Sequence, residues 1–522
     1  SYTTNRVGNE VSTDLNSTNE TAGDRRIYLE AMVDYNRTFG RHDVNAMLLY
    51  NQDELVNNVP GNNLINSLPK RKQGLAGRLS YAYDGKYMAE VNMGYNGSEN
   101  FAKGHRWGFF PSIALGYNIS EESFFEPLRK VITSMKLRGS WGLVGNDQIG
   151  GERFIYMPTI NLSGKGFTTG IDQNYGLSGP VYTRYENNSI TWEVGEKINL
   201  GIDLQLLNSL NIVVDIFRET RRDIFQKKGT IPTYLGTGNT DVFGNLAEMK
   251  NQGLDLSIDY NKAFSKDFYM NFKGTFTYAH NEITKYDEAP KYAFQSKVGQ
   301  SVNVSQGYLS NGLFLDEAEI DRYNQQMGST LGAGDIKYLN VSNMHGYGDD
   351  IVDVDDWTWI GNPTVPEIVY GFGPSFKYKN WDFSFFFQGV AKTSLFMSGF
   401  HPFGDNSLRN VLQFVANDRW SPTNQNVDAK YPRLTRKTSL NNTNPGNSGR
   451  TSDYWMRDGS FLKLKNMELG YTFKRMRFYI SGSNLLTFSK FDLWDPEQGG
   501  GSGLKYPTQR VFNVGFQMTF NN

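Results

Sequence analysis

Apolar and polar residues alternate along most of this chain with a period of two. In Leu75–Tyr83, Leu75, Gly77, Leu79, Tyr81 and Tyr83 share one face, and Arg78 and Ser80 the other. From Tyr87 onward, Ala89, Val91, Met93 and Tyr95 oppose Glu90, Asn92 and Gly94. The same pattern recurs at Phe109–Tyr117 and Val131–Trp141, then at Ile198–Leu206 and Leu254–Tyr260. It continues at Phe268–Tyr278 and Trp381–Phe387 and closes at Phe512–Phe520. Strict alternation puts one side chain set on each face of a β-strand. About 15 such segments occur, each about 9–13 residues long, the length of a tilted strand crossing a bilayer. A soluble sandwich also alternates, but its strands average about 5–6 residues and its apolar face turns inward. Here the strands are long and the polar face carries Arg, Lys, Asp, Glu, Asn and Gln. Aromatics gather near strand ends (Tyr81, Tyr83, Tyr95, Tyr117), where a membrane barrel places its interfacial girdles. The pattern predicts an all-β transmembrane antiparallel barrel with apolar faces toward lipid and charged faces toward the lumen.

Connections are unequal. Asp84-Gly85-Lys86, Lys379-Asn380 and Phe473–Met476 read as tight turns, whereas 142–191, 221–247, 286–302, 316–363 and 393–459 read as long loops rich in Gly, Asn, Thr and aromatics. Short turns at one end and long loops at the other is the outer-membrane arrangement. One helix is expected in the last loop, with Ser407 as N-cap and Leu408, Val411, Leu412 and Val415 on one face, packing onto a loop core or a partner.

Composition narrows the chemistry. The chain has 522 residues, a formal charge of −1 and no cysteine. Near-neutral charge gives no electrostatic case for nucleic acid, and the missing thiols exclude a disulfide framework, a thiolate metal site and a cysteine nucleophile. Tyr and Phe number 30 and 35 against 17 Pro, a strand-rich balance. No apolar run is long enough for a transmembrane helix. Ser1–Asn19 has neither the basic nor the apolar region of a secretory leader. The five histidines are scattered, and there is no P-loop, Gly-x-Ser-x-Gly elbow or His-Glu-x-x-His. The chain is therefore read as a non-enzyme with no cofactor. The acidic run Asp349–Asp356 raises a calcium alternative through Asp350, Asp353 and Asp355, set against a solvated acidic loop, which is preferred.

Several segments, taken in order, resemble the barrel of SusC-like TonB-dependent transporters. They include Gly77–Met88, Asn96–Phe101, Arg106–Tyr117, Leu137–Asn146, Trp192-Glu193, Asn251–Leu256 and Gly334–Tyr338. Ile360–Thr364, Gln388-Gly389, Asp418–Pro422, Tyr431–Arg433, Phe461–Phe473 and Ser483–Leu486 complete the set, from about residue 70 onward. The resemblance implies outer-membrane barrels of about 22 strands with a plug, a TonB-powered import of oligosaccharides, glycans or peptides, and a SusD-like surface lipoprotein as lid. About 15 strands fall short of that number, so 1–522 is read as the C-terminal portion of the barrel, with the plug and the TonB-contacting N-terminal part absent from it. Phe520 matches the terminal aromatic that serves as a barrel-assembly signal, although two asparagines follow. The insertion Asn340–Gly348 interrupts the compact acidic repeat of the family and weakens the metal reading.

The expected function is energised uptake of a bulky nutrient across the outer membrane. Tyr182, Tyr185, Tyr234, Phe400, Phe403, Trp420 and Trp455 are the aromatic candidates for contact with substrate or lid, against the alternative that they hold the loops together. A surface adhesin or glycan-binding protein without transport, and a secreted β-rich glycan hydrolase, are the other readings. Detergent dependence separates the barrel from the soluble ones.

Overall fold

The computed structural model describes residues 23–57, 65, 68–232, 241–323, 325–326, 331–399, 410–435, 442 and 451–520. One antiparallel sheet of 15 strands dominates, each strand paired with its neighbours in chain order. We label them β1 (Asp24–Phe39), β2 (His42–Asn57), β3 (Lys70–Tyr83), β4 (Tyr87–Ser98), β5 (Trp107–Asn118), β6 (Ile132–Asn146), β7 (Glu193–Leu206) and β8 (Leu210–Lys227). Then follow β9 (Phe243–Ala263), β10 (Phe268–Lys285), β11 (Ile368–Tyr378), β12 (Trp381–Ala391), β13 (Phe461–Phe473), β14 (Met476–Ser489) and β15 (Val511–Met518). No described helix is long and apolar enough to cross a membrane, and the long strands are the elements that can.

Register carries the alternation across the sheet. Leu75 lies opposite Tyr95, Leu79 opposite Val91, and Val91 opposite Ile113. Ile113 pairs with Trp141 and Trp141 with Ile198. These side chains form a continuous outward apolar face; Leu79, Leu115, Leu200 and Ile216 are all more than half exposed to the surroundings. A water-soluble protein would leave several kcal/mol of unburied apolar surface on such a face, whereas lipid covers it. Aromatic pairs edge the band at both ends: Tyr95 stacks on Trp107 at 4.8 Å and Tyr87 on Tyr117 at 5.2 Å.

Connections 40–41, 84–86, 119–131, 207–209, 264–267, 379–380 and 474–475 share one end of the sheet. Connections 58–69, 99–106, 147–192, 228–242, 286–367, 392–460 and 490–510 share the other. Asp84 and Gly85, with φ of 55° and 66°, give the paired left-handed residues of the turn that matches strand twist.

The structure also corrects boundaries. β1 and β2 precede the region where the resemblance was first seen. Strand β6 continues through Gly142–Asn146, and β8 and β9 continue through Arg221–Lys227 and Phe243–Ala247, all of which the sequence suggested were loop. The helix of the sixth long connection runs Gln413–Asn417 with Leu412 as its N-cap. It starts later than expected; Ser407 and Leu408 lie outside the described residues.

Candidate functional site

The inward face of the sheet is a wall of charge. Arg138 Nη2 lies 2.8 Å from Asp203 and 3.0 Å from Asp215, bridging β6, β7 and β8. Beside it, Thr277 Oγ1 donates to Asp255 at 2.7 Å. Farther round, Arg477 pairs with Asp382 and, at 2.6 Å, with Glu468. Each arginine crosses over a glycine. A Cβ on Gly201 would sit 2.6 Å from Asp215 Oδ1 and 2.8 Å from the Arg138 guanidinium, and a Cβ on Gly470 2.6 Å from Arg477 and Asp382. Absent side chains at 201 and 470 thus let each guanidinium lie flat across the wall, where its planar fork meets two carboxylates.

Near the loop end, this wall opens into a concavity of about 350 Å³ with a mixed lining, in which Met249, Val302 and Val365 stand among polar side chains. Glu219, Arg221, Asn251 and Asn281 line it from β8–β10, and Asn303 and Glu367 from the connection 286–367. Arg221 is held by Glu219 at 2.9 Å and Glu193 at 3.2 Å, and Glu367 by Lys392 at 3.4 Å and His280 at 2.5 Å. Sequence reasoning missed these residues because Arg221 fell in a presumed loop and the asparagines are individually common.

Three long connections, 286–367, 392–460 and 490–510, fold together into a cap at the loop end of the sheet. Their shared core contains Tyr308, Leu313, Ile336, Tyr338, Val352, Leu395, Met397, Val415, Trp420, Ala429, Tyr431, Trp455 and Phe491. Small sheets brace the first two internally, Ser310–Leu313 with Ile336–Tyr338 and Ser394–Phe396 with Met456–Asp458, and the bridges Tyr308–Ser452 and Met397–Gly501 join each connection to the next. A buried carboxylate fastens the first two. Asp335, fully buried, accepts from Arg433 Nη2 at 3.0 Å, Asn442 Nδ2 at 2.6 Å and Gly332 N at 3.0 Å. The Asp335 hydrogen bond, opposed by burial, leaves the Arg433 pKa raised. Gly334 has φ +83°, and a Cβ there would overlap the Trp420 indole; only glycine suits that approach.

The third connection is tied down by Lys463, whose side chain is 1% exposed and pairs with Asp495 and, at 2.9 Å, with Glu497. Burial pushes both carboxyls up, but the lysine contacts outweigh it, and both end below their ordinary values. A depressed carboxylate contributes stability above its unfolded pKa and loses it as pH falls through the folded one. Residues 490–510 should therefore stay docked at neutral pH and detach only as the pH falls below the ordinary carboxyl range. The Trp494 fluorescence of the full-length protein checks this, compared with a Lys463→Met variant whose docking no longer tracks the carboxylates.

The aromatic candidates separate by burial. Trp420 and Trp455 are 6% and 0% exposed and serve the loop core. Tyr182 and Tyr185 are exposed and stack at 5.2 Å. Tyr234, Phe400 and Phe403 lie outside the described residues. Within the acidic run, Asp353 caps the turn Val354–Asp356, accepting from Asp355 N at 2.8 Å, and Asp355 pairs with Lys291. Asp356 accepts from Ser342 N and Asp353 N, and burial raises its pKa. Among the described residues no three Asp, Glu or His groups form a metal-holding cluster, Asp350 included. Phe520 lies just past the end of β15, exposed, in phase with Phe512, Phe516 and Met518.

A β-hairpin, Thr159–Thr169 with Tyr175–Arg184, projects from connection 147–192. Its Leu162, Phe167 and Ile171 are 78%, 72% and 104% exposed. A hairpin with no core of its own is marginal in water.

The family described as "TonB dependent receptor-like, beta-barrel" matches residues 1–485. TonB-dependent receptor P3 of Formosa agariphila is 25% identical, over 98% of this chain and 54% of its own length. TonB-dependent receptor SusC of Bacteroides thetaiotaomicron is 27% identical, over 85% of this chain and 43% of its own length. The chain spans about half the length of the curated relatives it matches. A solved structure described as the RagAB peptide transporter superposes with a TM-score of 0.69 at 20% identity, covering 95% of this chain and 56% of that one.

Proposed function

We propose, from the premise that this chain belongs to the TonB dependent receptor-like β-barrel family, that it forms most of the wall and mouth of an outer-membrane importer of oligosaccharides or peptides. The observation that carries the reading is the two-faced sheet, apolar outward and charged inward, with three loops packed on a shared core at its loop end and tied to the strands through Lys463 and His280. No covalent chemistry is invoked. Substrate passes a wall whose fixed ion pairs and amides offer exchangeable hydrogen bonds, and the concavity at Arg221, Asn251 and Asn281 adds polar side chains near the loop end. Tyr182 and Tyr185 give a stacked aromatic face suited to a sugar ring or an apolar peptide side chain.

Within the described residues β1 and β15 each have one neighbour in the sheet. Unpaired backbone groups in lipid cost several kcal/mol each, so further strands must complete the barrel. In our reading those strands, a plug and the TonB contact belong to the same polypeptide, and Phe520 serves barrel assembly.

A SusD-like lipoprotein lid fits the loop end. The exposed hairpin 159–184 is the contact we assign to it, because its apolar side chains need a partner surface. Changing Leu162, Phe167 and Ile171 together to serine should weaken lid retention about 30-fold, the loss of about 2 kcal/mol of buried anchor contacts. Co-purification of the full-length transporter from native membranes checks it. Undiminished lid stoichiometry in the variant would remove the hairpin from the contact, and a wild-type transporter with no bound lipoprotein would remove the lid. The transport reading is tested by deleting the gene and following uptake of labelled glycans and peptides. Unchanged uptake with lost surface adhesion would favour an adhesin.

A further inference from the structure

The short-turn end of the sheet is not uniform in charge. Along β1–β6 three of its cations are neutralised within the protein: Arg41 lies 3.7 Å from Asp84, Lys86 3.7 Å from Glu122, and Arg129 3.9 Å from Glu121, while Arg37 and Lys130, well separated along the end, have no carboxylate within 4.0 Å among the described residues. Along β9–β14 three adjacent turns, 264–267, 379–380 and 474–475, present Lys266, Lys379, Lys474 and Arg475, with Lys262 at the end of β9. All five are exposed, and the turns contain one carboxylate, Asp267. Among the described residues none of the five cations has a carboxylate within 4.0 Å. The nearby Asp259 and Asp382 face inward and pair with Lys273 and Arg477.

These cations also have a fixed depth. Lys262 follows Leu254, Leu256, Ile258 and Tyr260 in phase, so it continues the outward apolar row at its lower end. Its Nζ lies 5.5 Å from the Phe264 ring centroid. Lys379 Nζ lies 5.6 Å from Tyr378 and Lys474 Nζ 5.6 Å from Phe473. The rings form a girdle: Phe264 stacks on Phe268 at 5.3 Å, Phe268 meets Tyr378 at 6.4 Å, and Trp381 meets Tyr471 at 4.7 Å. Aromatic girdles mark the border between hydrocarbon and headgroups, and long cationic side chains reach from it into the headgroup layer. Lys379 and Lys474 sit at φ of 50° and 55°, where Asn or Gly would be easier, so the turns carry lysine at a conformational cost.

We propose that the rim formed by residues 262–266, 379 and 474–475 binds the phosphate of anionic phospholipid, phosphatidylglycerol in chemical class, in the leaflet at the short-turn end. The inference rests on the membrane-barrel reading above. An acidic periplasmic protein would also complement the charge, but three of the five cations, Lys262, Lys379 and Lys474, stand over outward aromatic rings at the apolar border, where the neighbouring molecule is lipid. A cluster of several cations at headgroup depth attracts anionic lipid through summed charge.

The test uses the full-length protein in mild detergent or in nanodiscs of defined lipid. Native mass spectrometry would compare retained phosphatidylglycerol with phosphatidylcholine. The wild type should retain the anionic lipid at least tenfold better. A K262Q/K266Q/K379Q/K474Q/R475Q variant should lose that preference, while R41Q/K86Q/R129Q should keep it. Heat-modifiable gel mobility confirms that each variant is an assembled barrel. Should the fivefold variant fail to assemble, K474Q/R475Q in the exposed turn should still lower the preference several-fold. Equal retention of the two lipids by the wild type, an undiminished preference in the rim variants, or an equal loss in the control would overturn the proposal. So would a salt-sensitive protein partner lost from the rim variant with lipid retention unchanged. A full-length protein that stays in solution without detergent would instead overturn the membrane reading beneath it.

Discussion

An arginine at position 200 should block assembly, whereas an arginine at 205 should be tolerated. Both residues lie on β7, on opposite faces. Leu200 points outward, 63% exposed, between Gly139 on β6 and Ile216 on β8. Gln205 points inward beside Ser134 and Asn211. A cation facing lipid near the midplane costs about 2–4 kcal/mol, which reduces the assembled fraction about 30- to 1000-fold if assembly is at equilibrium. On the inward face, the new charge meets water and the carboxylates that already hold Arg138. Heat-modifiable mobility of the full-length variants in outer-membrane fractions measures the difference. Equal yields would mean that the faces are wrongly assigned.

The second large effect is expected at Asp335. Replacing it with alanine should release the cap without unfolding the sheet. The change leaves Arg433 and Asn442 without their acceptor inside the loop core, and removing one partner of a buried ion pair costs about 3–5 kcal/mol. Connections 286–367 and 392–460 would then be cut by protease in intact cells while the barrel keeps its heat-resistant mobility. The double variant Asp335→Leu/Arg433→Leu should recover part of the loss, because it leaves no buried charge unpaired. Protease resistance equal to wild type in the single variant would show that the hydrophobic core alone, with Trp420, Tyr431 and Trp455, holds the cap.

The two faces of the sheet were legible because the pattern has one simple cause. Each transmembrane strand meets lipid on one side and water on the other, so period two survives wherever the strand is in the bilayer. It fades where strands leave it. Gly142–Asn146 is broken up by glycines, and β8 has an irregular register between Arg221 and Ile224, where Asp223 takes φ 57°; both stretches therefore read as loop. In β1 and β2 apolar residues occupy both phases, with Met32 beside Val33 and Leu48 beside Leu49, which hides the alternation. The cap was less legible for a different reason. Its core joins residues far apart in the chain, such as Trp420 against Gly334 and Arg433 against Asp335. Nothing local distinguishes Trp455, which is fully buried, from Tyr182, which is exposed. The connection 490–510 drew no notice in the sequence, and its role depends on a lysine, Lys463, contributed by β13.

The account stands most directly on energised uptake. Cells of the source organism carrying the intact gene should accumulate a labelled glycan or peptide fraction, and accumulation should fall to background both when this gene is deleted and when TonB is removed. Complementation with the full-length gene should restore it only where TonB is present. Uptake of every fraction continuing unchanged in the deletion strain would contradict the account.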